Sequence, residues 1–201
     1  MKFTTSWDDG HPLDLKLATL LAKYDLTGTF YVAKSHEYVP KTLTENELRE
    51  LSQVMEIGAH TLTHPELTSV DTSQAEEEIV GSKKWLEDIL QKPCDSFCYP
   101  RGKYNAEIRQ MVIDAGFVGA RSTENFCFSG TDAFTLPSTV HVYPFPIRPV
   151  LNRRCFAPMT QNWKALNALH ISLGSRRSWL AMATAVLDRS LGNNADWFHL
   201  R

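Results

Sequence analysis

Short β-type runs alternate with segments of helical periodicity over residues 1–120, and no other feature of the sequence restricts the fold as strongly. Runs of β-branched and aromatic residues that end at turn residues predict strands, whereas apolar residues three or four positions apart predict helices. The alternation favours parallel βαβ units, arranged as a barrel or an open sheet. The five predicted strands are the run that starts at Lys2 and residues 28–33, 54–59, 96–99 and 117–120.

The helices between these strands begin and end at specific residue types. Two pairs, each with Ser or Thr three residues before Glu, have the form of a capping box, in which side chains and backbone N–H groups satisfy each other. An asparagine cap opens a further helix, and a glycine that tolerates a left-handed conformation closes it. These signals are Thr44 with Glu47, Ser73 with Glu76, Asn105, and Gly116.

The pattern weakens beyond Arg121, where prolines recur between residues 137 and 158. We expect extended pieces and loops there, with residues 138–143 as the best strand candidate. Two helices, roughly at residues 162–169 and 178–191, and a short strand at 197–200 are predicted near the end. Because no linker, low-complexity tract or fixed repeat interrupts residues 1–201, we predict a single domain.

Bulk composition argues against several classes of protein. The formal net charge of -2 gives no basic excess to neutralise phosphates, so neither a nucleic acid nor an anionic membrane is expected as a partner. No apolar run approaches the ~20 residues that span a bilayer, and Met1 leads into the first strand without a signal peptide. The four cysteines lack CxxC spacing and are expected as free thiols. These features predict a cytoplasmic protein, and they leave its oligomeric state open.

The first strand ends in two carboxylates, Asp8 and Asp9, which are followed by Gly10. Successive strand residues point to opposite sides, so the two acids are expected to have different roles. The carboxyl ends of strands are where α/β folds keep their functional groups. Taken alone, an Asp-Asp-Gly sequence more often forms a turn in which one carboxylate caps the next helix.

The third strand ends at His60, and His64 follows four residues later. One helical turn over this segment would place both imidazoles on one side, where they could share a metal ion. Because both motifs close a strand of the same βα architecture, we expect them at one rim. One Asp and two His ligands leave a tetrahedral zinc ion with an open position, which is typical of catalytic sites, and the remaining carboxylate could act as the base.

Three motifs of this chain resemble those of the polysaccharide deacetylases, the NodB-homology domains of carbohydrate esterase family four. Residues 5–10, Thr-Ser-Trp-Asp-Asp-Gly, resemble the family's Thr-Phe-Asp-Asp-Gly motif. Residues 60–65 match its His-Ser/Thr-x-x-His-Pro motif, and residues 99–105 are similar to its third motif, Arg-x-Pro-x-Gly. The resemblance extends from the start of the chain to about Gly119 and is faint beyond it.

The resemblance implies a distorted (β/α) barrel with fewer than eight strands and a metal-dependent deacetylase activity. It makes Asp8 the general base. It makes Asp9, His60 and His64 the ligands of one divalent ion, which is zinc or alternatively cobalt, nickel or iron. The backbone N–H of Arg101 would help to hold the oxyanion of the tetrahedral intermediate.

The sequence departs from the family pattern in its third motif. Cys98 stands where the family has an arginine that tunes the base. Arg101, Arg121 and Arg148 are the candidates to replace that arginine, and core packing is the alternative role for Cys98.

The last family motif carries a histidine that protonates the leaving amine, and His199 is its only counterpart here. The preceding pair, Asp196-Trp197, is not a clean match, and a frayed terminus is the alternative. If the natural chain continues beyond Arg201, the last strand and helix of the barrel lie outside this sequence.

The remaining histidines have no partner at metal-binding spacing. We therefore expect them at the surface or in satisfied polar environments; they are His11, His36, His141 and His170.

The predicted function is hydrolysis that removes an acyl group, in the family an acetyl group, from the amide nitrogen of an N-acetylated sugar. One alternative is a small non-sugar amide or cyclic imide as substrate, which residues 121–158 would decide. The other alternative is a non-catalytic member that keeps the metal site.

Overall fold

In this computed structural model, residues 1–39, 41–129, 132–141 and 163–201 are described. The chain divides into two compact units. The larger, here called the motif unit, comprises Thr4–Thr123 and Gly130–Pro137. The smaller, the terminal unit, comprises Met1–Phe3, Glu124–Ser129 and Ser138–Arg201. The single domain expected from the sequence stays a prediction.

The motif unit is built on parallel strands in the order β5-β4-β3-β2-β1. In the register of this sheet, Asp8 lies opposite Tyr31, Ala59 opposite Phe97, and Cys98 opposite Arg121. The predicted parallel α/β arrangement is confirmed, with fewer than eight strands in the described part of the chain. The strands are β1 (Lys2–Asp8), β2 (Thr29–Val32), β3 (Glu56–Ala59), β4 (Ser96–Cys98) and β5 (Gly119–Arg121).

Four helices connect these strands: α1 (Asp14–Lys23), α2 (Glu45–Leu51), α3 (Thr72–Leu90) and α4 (Ala106–Asp114). The capping box of Thr44 and Glu47 is present, and the Asn105 side chain accepts from the Ile108 N–H, both as predicted. Gly116 has a φ of 80°, which confirms the left-handed residue after α4.

The predicted capping box of Ser73 and Glu76 is wrong. Asp71 caps α3 instead, and its carboxylate accepts from the Gln74 N–H at 2.8 Å. Asp and Ser are comparable N-caps, so the choice between them depends on where the chain enters the helix rather than on local preference.

The apolar faces of these helices pack on the sheet and form the core of the motif unit. Burial of this apolar surface is the main favourable term in folding, and it fixes the ends of the strands that carry the motifs. Fully buried members include Phe30, Val32, Leu48, Ala59, Ile79, Leu86, Phe97 and Val112.

The terminal unit contains α5 (Trp163–Ala168), α6 (Trp179–Gly192) and β6 (Trp197–Leu200), close to the elements predicted there. The Lys2 N–H donates to the Asp196 carbonyl at 2.9 Å, which joins the start of β1 to the residues before β6. Of the strand expected at residues 138–143, Val140 forms an isolated bridge with Leu200, while residues 142 and 143 lie outside the described residues. Asn162 and the prolines at 144–158 also lie outside them.

No helix within the described ranges is both long enough and apolar enough to cross a membrane.

Candidate metal centre

The two motif strands, β1 and β3, lie on either side of β2 in the sheet. All three run parallel, so their carboxyl ends meet at one edge, as expected for both motifs. At this edge the chain turns sharply after Asp9, where Gly10 has a φ of 67°. A Cβ on Gly10 would stand 2.7 Å from the Val32 side chain on β2, so glycine is required by space as well as by conformation.

Three imidazoles converge on one carboxylate oxygen, Oδ1 of Asp9. The Nε2 atoms of His36, His60 and His64 lie 3.5, 3.5 and 3.6 Å from it. Ligand atoms that share a tetrahedral zinc ion, each ~2.1 Å from the metal, stand about 3.4 Å apart. The spacing therefore fits a divalent cation between Asp9 and the histidines.

The expectation that His36 has no partner at metal-binding spacing is wrong. The sequence places it among the surface or otherwise satisfied histidines, yet its side chain is only 5% exposed and its ring centroid lies 4.0 Å from that of His64. The ligand atoms of Asp9, His36 and His64 all lie within 4.8 Å of one another. His36 follows β2, and the position of β2 between the motif strands is what could have identified it.

The segment from His60 to His64 is a bent loop, and not the helical turn that would place both imidazoles on one side. Thr61 and His64 have positive φ values of 70° and 58°, which interrupt a helical conformation. The Thr61 hydroxyl accepts from the His64 N–H at 3.0 Å and so closes the loop internally.

Glu78, a buried residue of α3, holds this loop from outside. Its Oε2 accepts from the backbone N–H groups of Leu62 and Thr63 at 2.7 and 2.8 Å, and its Oε1 accepts from the Thr63 hydroxyl. The three bonds fix the backbone between the two histidines. Nothing in the spacing of the acidic run 76–78 distinguishes Glu78 from its neighbours, so sequence analysis missed it.

His60 has the tautomer that a metal ligand needs. Its Nδ1 lies 2.7 Å from the Cys98 carbonyl oxygen, which can only accept a hydrogen bond. Nδ1 therefore carries a proton, so in the neutral ring Nε2, the nitrogen that faces Asp9, is the one left to bind a metal. An outer hydrogen bond of this kind is the usual companion of metal-bound histidine. The chemistry of this donor set fits a divalent ion.

The charges in the centre are strongly coupled. Burial opposes ionisation of Asp9, but a hydrogen bond to His60 and the nearby imidazoles outweigh it and lower the pKa of Asp9 to about 2. Burial and the charges of His60 and His36 lower the pKa of His64 to about 3. Burial also lowers the pKa of His36. For His60, the effect of burial is overcome by Cys98 and by hydrogen bonds to Asp9 and Cys98, so its pKa is raised.

The other carboxylate, Asp8, faces a thiol. Cys98 Sγ donates to Oδ2 of Asp8 across 3.7 Å, and Cys98 is fully buried. The ligand atoms of Asp8, His60 and Cys98 also lie within 4.8 Å of one another, so His60 borders both carboxylates. The residue that replaces the family arginine thus contacts the carboxylate to which the resemblance assigns the role of base.

Arg101 lies in a short 3₁₀ turn, Pro100–Gly102, and has a φ of 56°. Burial is the main cause of the lowered pKa of both His36 and His64, and the charge of Arg101 adds a small contribution to it. Asp9, at φ 78°, is another left-handed residue of the site. Non-glycine residues in this conformation cluster at functional sites, where the surrounding structure holds them.

The remaining candidates lie in different places. Arg121, on β5, is buried and donates from a guanidinium nitrogen to the Pro137 carbonyl at 2.9 Å. His199 is buried in β6 of the terminal unit, where its N–H donates to the Thr139 hydroxyl at 3.0 Å. Arg148 lies outside the described residues.

Comparison with known proteins agrees with this geometry. The chain is 29% identical over 126 residues to YxkH of Bacillus subtilis (strain 168), a protein assigned to the polysaccharide deacetylases; the match covers 61% of this chain and 42% of YxkH. The deacetylase PplD of Streptococcus pyogenes, solved with acetate, is 26% identical with a TM-score of 0.56 and covers 60% of this chain and 55% of PplD. The chain thus spans less than two thirds of either relative.

A further solved structure, the pseudoenzyme BA3943 of Bacillus anthracis from carbohydrate esterase family four, has the same fold. It is 13% identical with a TM-score of 0.56, covering 98% of this chain and 54% of BA3943. This likeness confirms the predicted distorted barrel class. The family model for polysaccharide deacetylase matches residues 2–120. The chain therefore belongs to the polysaccharide deacetylase family.

Proposed function

We propose that this chain is a metal-dependent hydrolase that removes an acetyl group from an amide nitrogen of an N-acetylated sugar. The observation that carries the proposal is the convergence of His60 and His64 on Asp9, with Asp8 as the preceding residue. Membership of the polysaccharide deacetylase family supports the reaction class. The acetate bound to PplD supports acetyl as the group removed.

Asp9, His60 and His64 would hold the divalent ion. When bound, such an ion supplies a Lewis acid that polarises the acyl carbonyl and lowers the pKa of a water molecule. Zinc suits one carboxylate and two imidazoles, and cobalt, nickel and iron accept the same ligands. The hydrogen bonds of Glu78 to Leu62 and Thr63 would keep the two imidazoles at a fixed separation.

Asp8 would accept the proton of the attacking water. A positioned base of this kind contributes about 10²–10⁴-fold to the rate. The Arg101 N–H would donate to the oxyanion that develops as the carbonyl becomes tetrahedral. The resemblance gives His199 the role of protonating the leaving amine. His199 belongs to the terminal unit, and this role stays a prediction.

Asp8→Asn tests the base directly. We expect acetate release from N-acetylglucosamine oligomers to fall by about 10²–10⁴-fold while the metal content per chain stays unchanged. Asp25→Asn is the matched control, because Asp25 is exposed in the loop after α1. Turnover of Asp8→Asn close to that of the unaltered protein would contradict the assignment of the base.

Two alternatives give different outcomes in the same experiment. A chain that releases no acetate from sugars but hydrolyses small amides or cyclic imides, again in an Asp8-dependent manner, would favour the non-sugar substrate class. A chain that binds metal and hydrolyses neither class would favour a non-catalytic member. The replacement of the family arginine by Cys98 and the existence of the pseudoenzyme BA3943 are the observations that keep this last alternative open.

A further inference from the structure

His36 is held against the metal centre by its own loop. The loop leaves β2 at Val32, and the Ser35 N–H donates to the Leu62 carbonyl at 2.8 Å. Leu62 lies between the two motif histidines, so this bond joins the loop after β2 to the loop after β3. The almost complete burial of the His36 side chain follows from this contact and from the adjacent His64 ring.

Distance alone does not separate His36 from a metal ligand. Its Nε2 lies as far from Asp9 Oδ1 as that of His60, at 3.5 Å. By this criterion the centre would contain four protein ligands, and a tetrahedral zinc ion with four protein ligands has no open position. The hydrogen bond on the opposite side of each ring is what distinguishes the two histidines.

The two rings have opposite partners at Nδ1. His60 Nδ1 faces a carbonyl oxygen, an acceptor, whereas His36 Nδ1 lies 2.9 Å from the backbone N–H of Tyr38, a donor. A ring nitrogen that accepts a hydrogen bond carries no proton. In the neutral ring the proton of His36 is therefore on Nε2, the atom that faces Asp9, and this nitrogen has no lone pair to offer a metal.

We propose that His36 is a positioning residue of the metal centre, which directs an Nε2–H toward the Asp9 carboxylate and does not ligate the ion. The inference rests on the metal site of the proposed function and deepens it. It leaves Asp9, His60 and His64 as the ligand set, and it gives the ligand carboxylate an outer partner. Outer partners of this kind orient a metal ligand, and their loss costs about 10–100-fold in metal affinity.

The test is metal binding by the full chain, with zinc for affinity and cobalt(II) for absorption and X-ray absorption spectra. We expect two imidazole ligands in the unaltered protein and in His36→Ala alike, with an unchanged cobalt spectrum. We expect the zinc dissociation constant of His36→Ala to rise about 10–100-fold. His36→Gln, whose amide N–H reaches the position of Nε2, should restore the affinity to within a few-fold.

His11→Ala is the matched control. His11 makes the same local hydrogen bond, from the Leu13 N–H to its Nδ1 at 3.1 Å, but it is exposed. Three imidazoles in the unaltered protein and two in His36→Ala would overturn the proposal and make His36 a ligand. An unchanged zinc affinity in His36→Ala would overturn it as well. Failure of the unaltered protein to bind any metal would contradict the metal site itself, and with it the proposed function.

Discussion

Two neighbouring carboxylates of one motif have different surroundings. Asp9 lies among the imidazoles of His36, His60 and His64, which we call the imidazole side. Asp8 lies beside the thiol of Cys98, which we call the thiol side. Asp8 is the last residue of β1, and Asp9 is the first residue of the turn, with a φ of 78°.

The difference shows that the role open to a carboxylate depends on the groups around it, since both residues are aspartates. The imidazole side brings together three neutral or cationic nitrogens, which favour the ionised carboxylate and suit a shared cation. On the thiol side, the weak Sγ–H donor of Cys98 contacts the Asp8 carboxylate. The predictions below test whether the two sides are as separate as this arrangement indicates.

The largest effect is expected from Asp9→Asn. Asparagine tolerates the left-handed backbone at this position, so the turn should form, but the anionic ligand is lost. We expect zinc affinity to fall by at least about 100-fold, beyond the range found for outer partners. Titration calorimetry would measure the change, and Asp25→Asn serves again as the control. An affinity within a few-fold of the unaltered protein would mean that the imidazole side is not the metal site.

The next effect concerns the support of the imidazole side. Glu78→Ala leaves the N–H groups of Leu62 and Thr63 without their acceptor. Hydrogen bonds to a charged acceptor contribute roughly 1.5–3 kcal/mol each, so we expect the free energy of unfolding to fall by about 3 kcal/mol, together with a weaker metal site. Urea unfolding of the metal-free protein measures the change in the free energy of unfolding. Glu77 is an exposed neighbour on α3, so Glu77→Ala should leave the free energy of unfolding and the metal affinity unchanged. An equal loss in both variants would contradict the role of Glu78 in holding the loop between the histidines.

A third carboxyl, Asp14 at the start of α1, provides a pH test. It is 7% exposed, and burial together with the charges of Asp9 and Asp8 raises its pKa from 3.8 to about 7. Between these pKa values the folded chain binds more protons than the unfolded chain, so stability falls as the pH rises from about 4 to about 7. Asp14→Asn removes this dependence. Because one pKa unit corresponds to about 1.4 kcal/mol, we expect the variant to be more stable than the unaltered protein by about 4 kcal/mol at pH 8 and about equal to it at pH 4.

The control for Asp14→Asn is Glu50→Gln, which removes an exposed carboxylate from α2. Urea unfolding at the two pH values measures the difference. A constant offset between Asp14→Asn and the unaltered protein at both pH values would show that Asp14 is not the source of the pH dependence.

The sequence predicted the strands and the two motifs because those signals are local. Periodicity identified β1 to β5, and parallel strands place residues that follow them at one edge. The contact between His36 and Asp9 joins residues far apart in the sequence. It depends on the strand order, which places β2 between β1 and β3. The order of strands in a sheet is decided by packing among distant residues, which a single sequence does not display.

The loop between the histidines escaped prediction for a related reason. A His-x-x-x-His spacing suits a helical turn, but bonds from Thr61 within the loop and from Glu78 outside it stabilise a bend with positive φ values. Local side-chain hydrogen bonds of this kind compete with helix formation. The spacing correctly indicated that His60 and His64 lie close together, beside Asp9, but the helical conformation it suggested is wrong.

The smallest effect is expected on the thiol side, from Cys98→Ala. The Sγ–Asp8 contact of 3.7 Å is a weak hydrogen bond, and net contributions of about 0.5–1.5 kcal/mol correspond to a two- to tenfold loss of turnover at most. Cys98→Ser keeps a donor and should lose less. Cys94→Ala, at another fully buried cysteine of the motif unit, controls for the cavity. A loss of acetate release in Cys98→Ala alone, with zinc affinity unchanged, would show that the thiol side affects turnover independently of metal binding. Equal losses in Cys98→Ala and Cys94→Ala would reduce the role of Cys98 to packing.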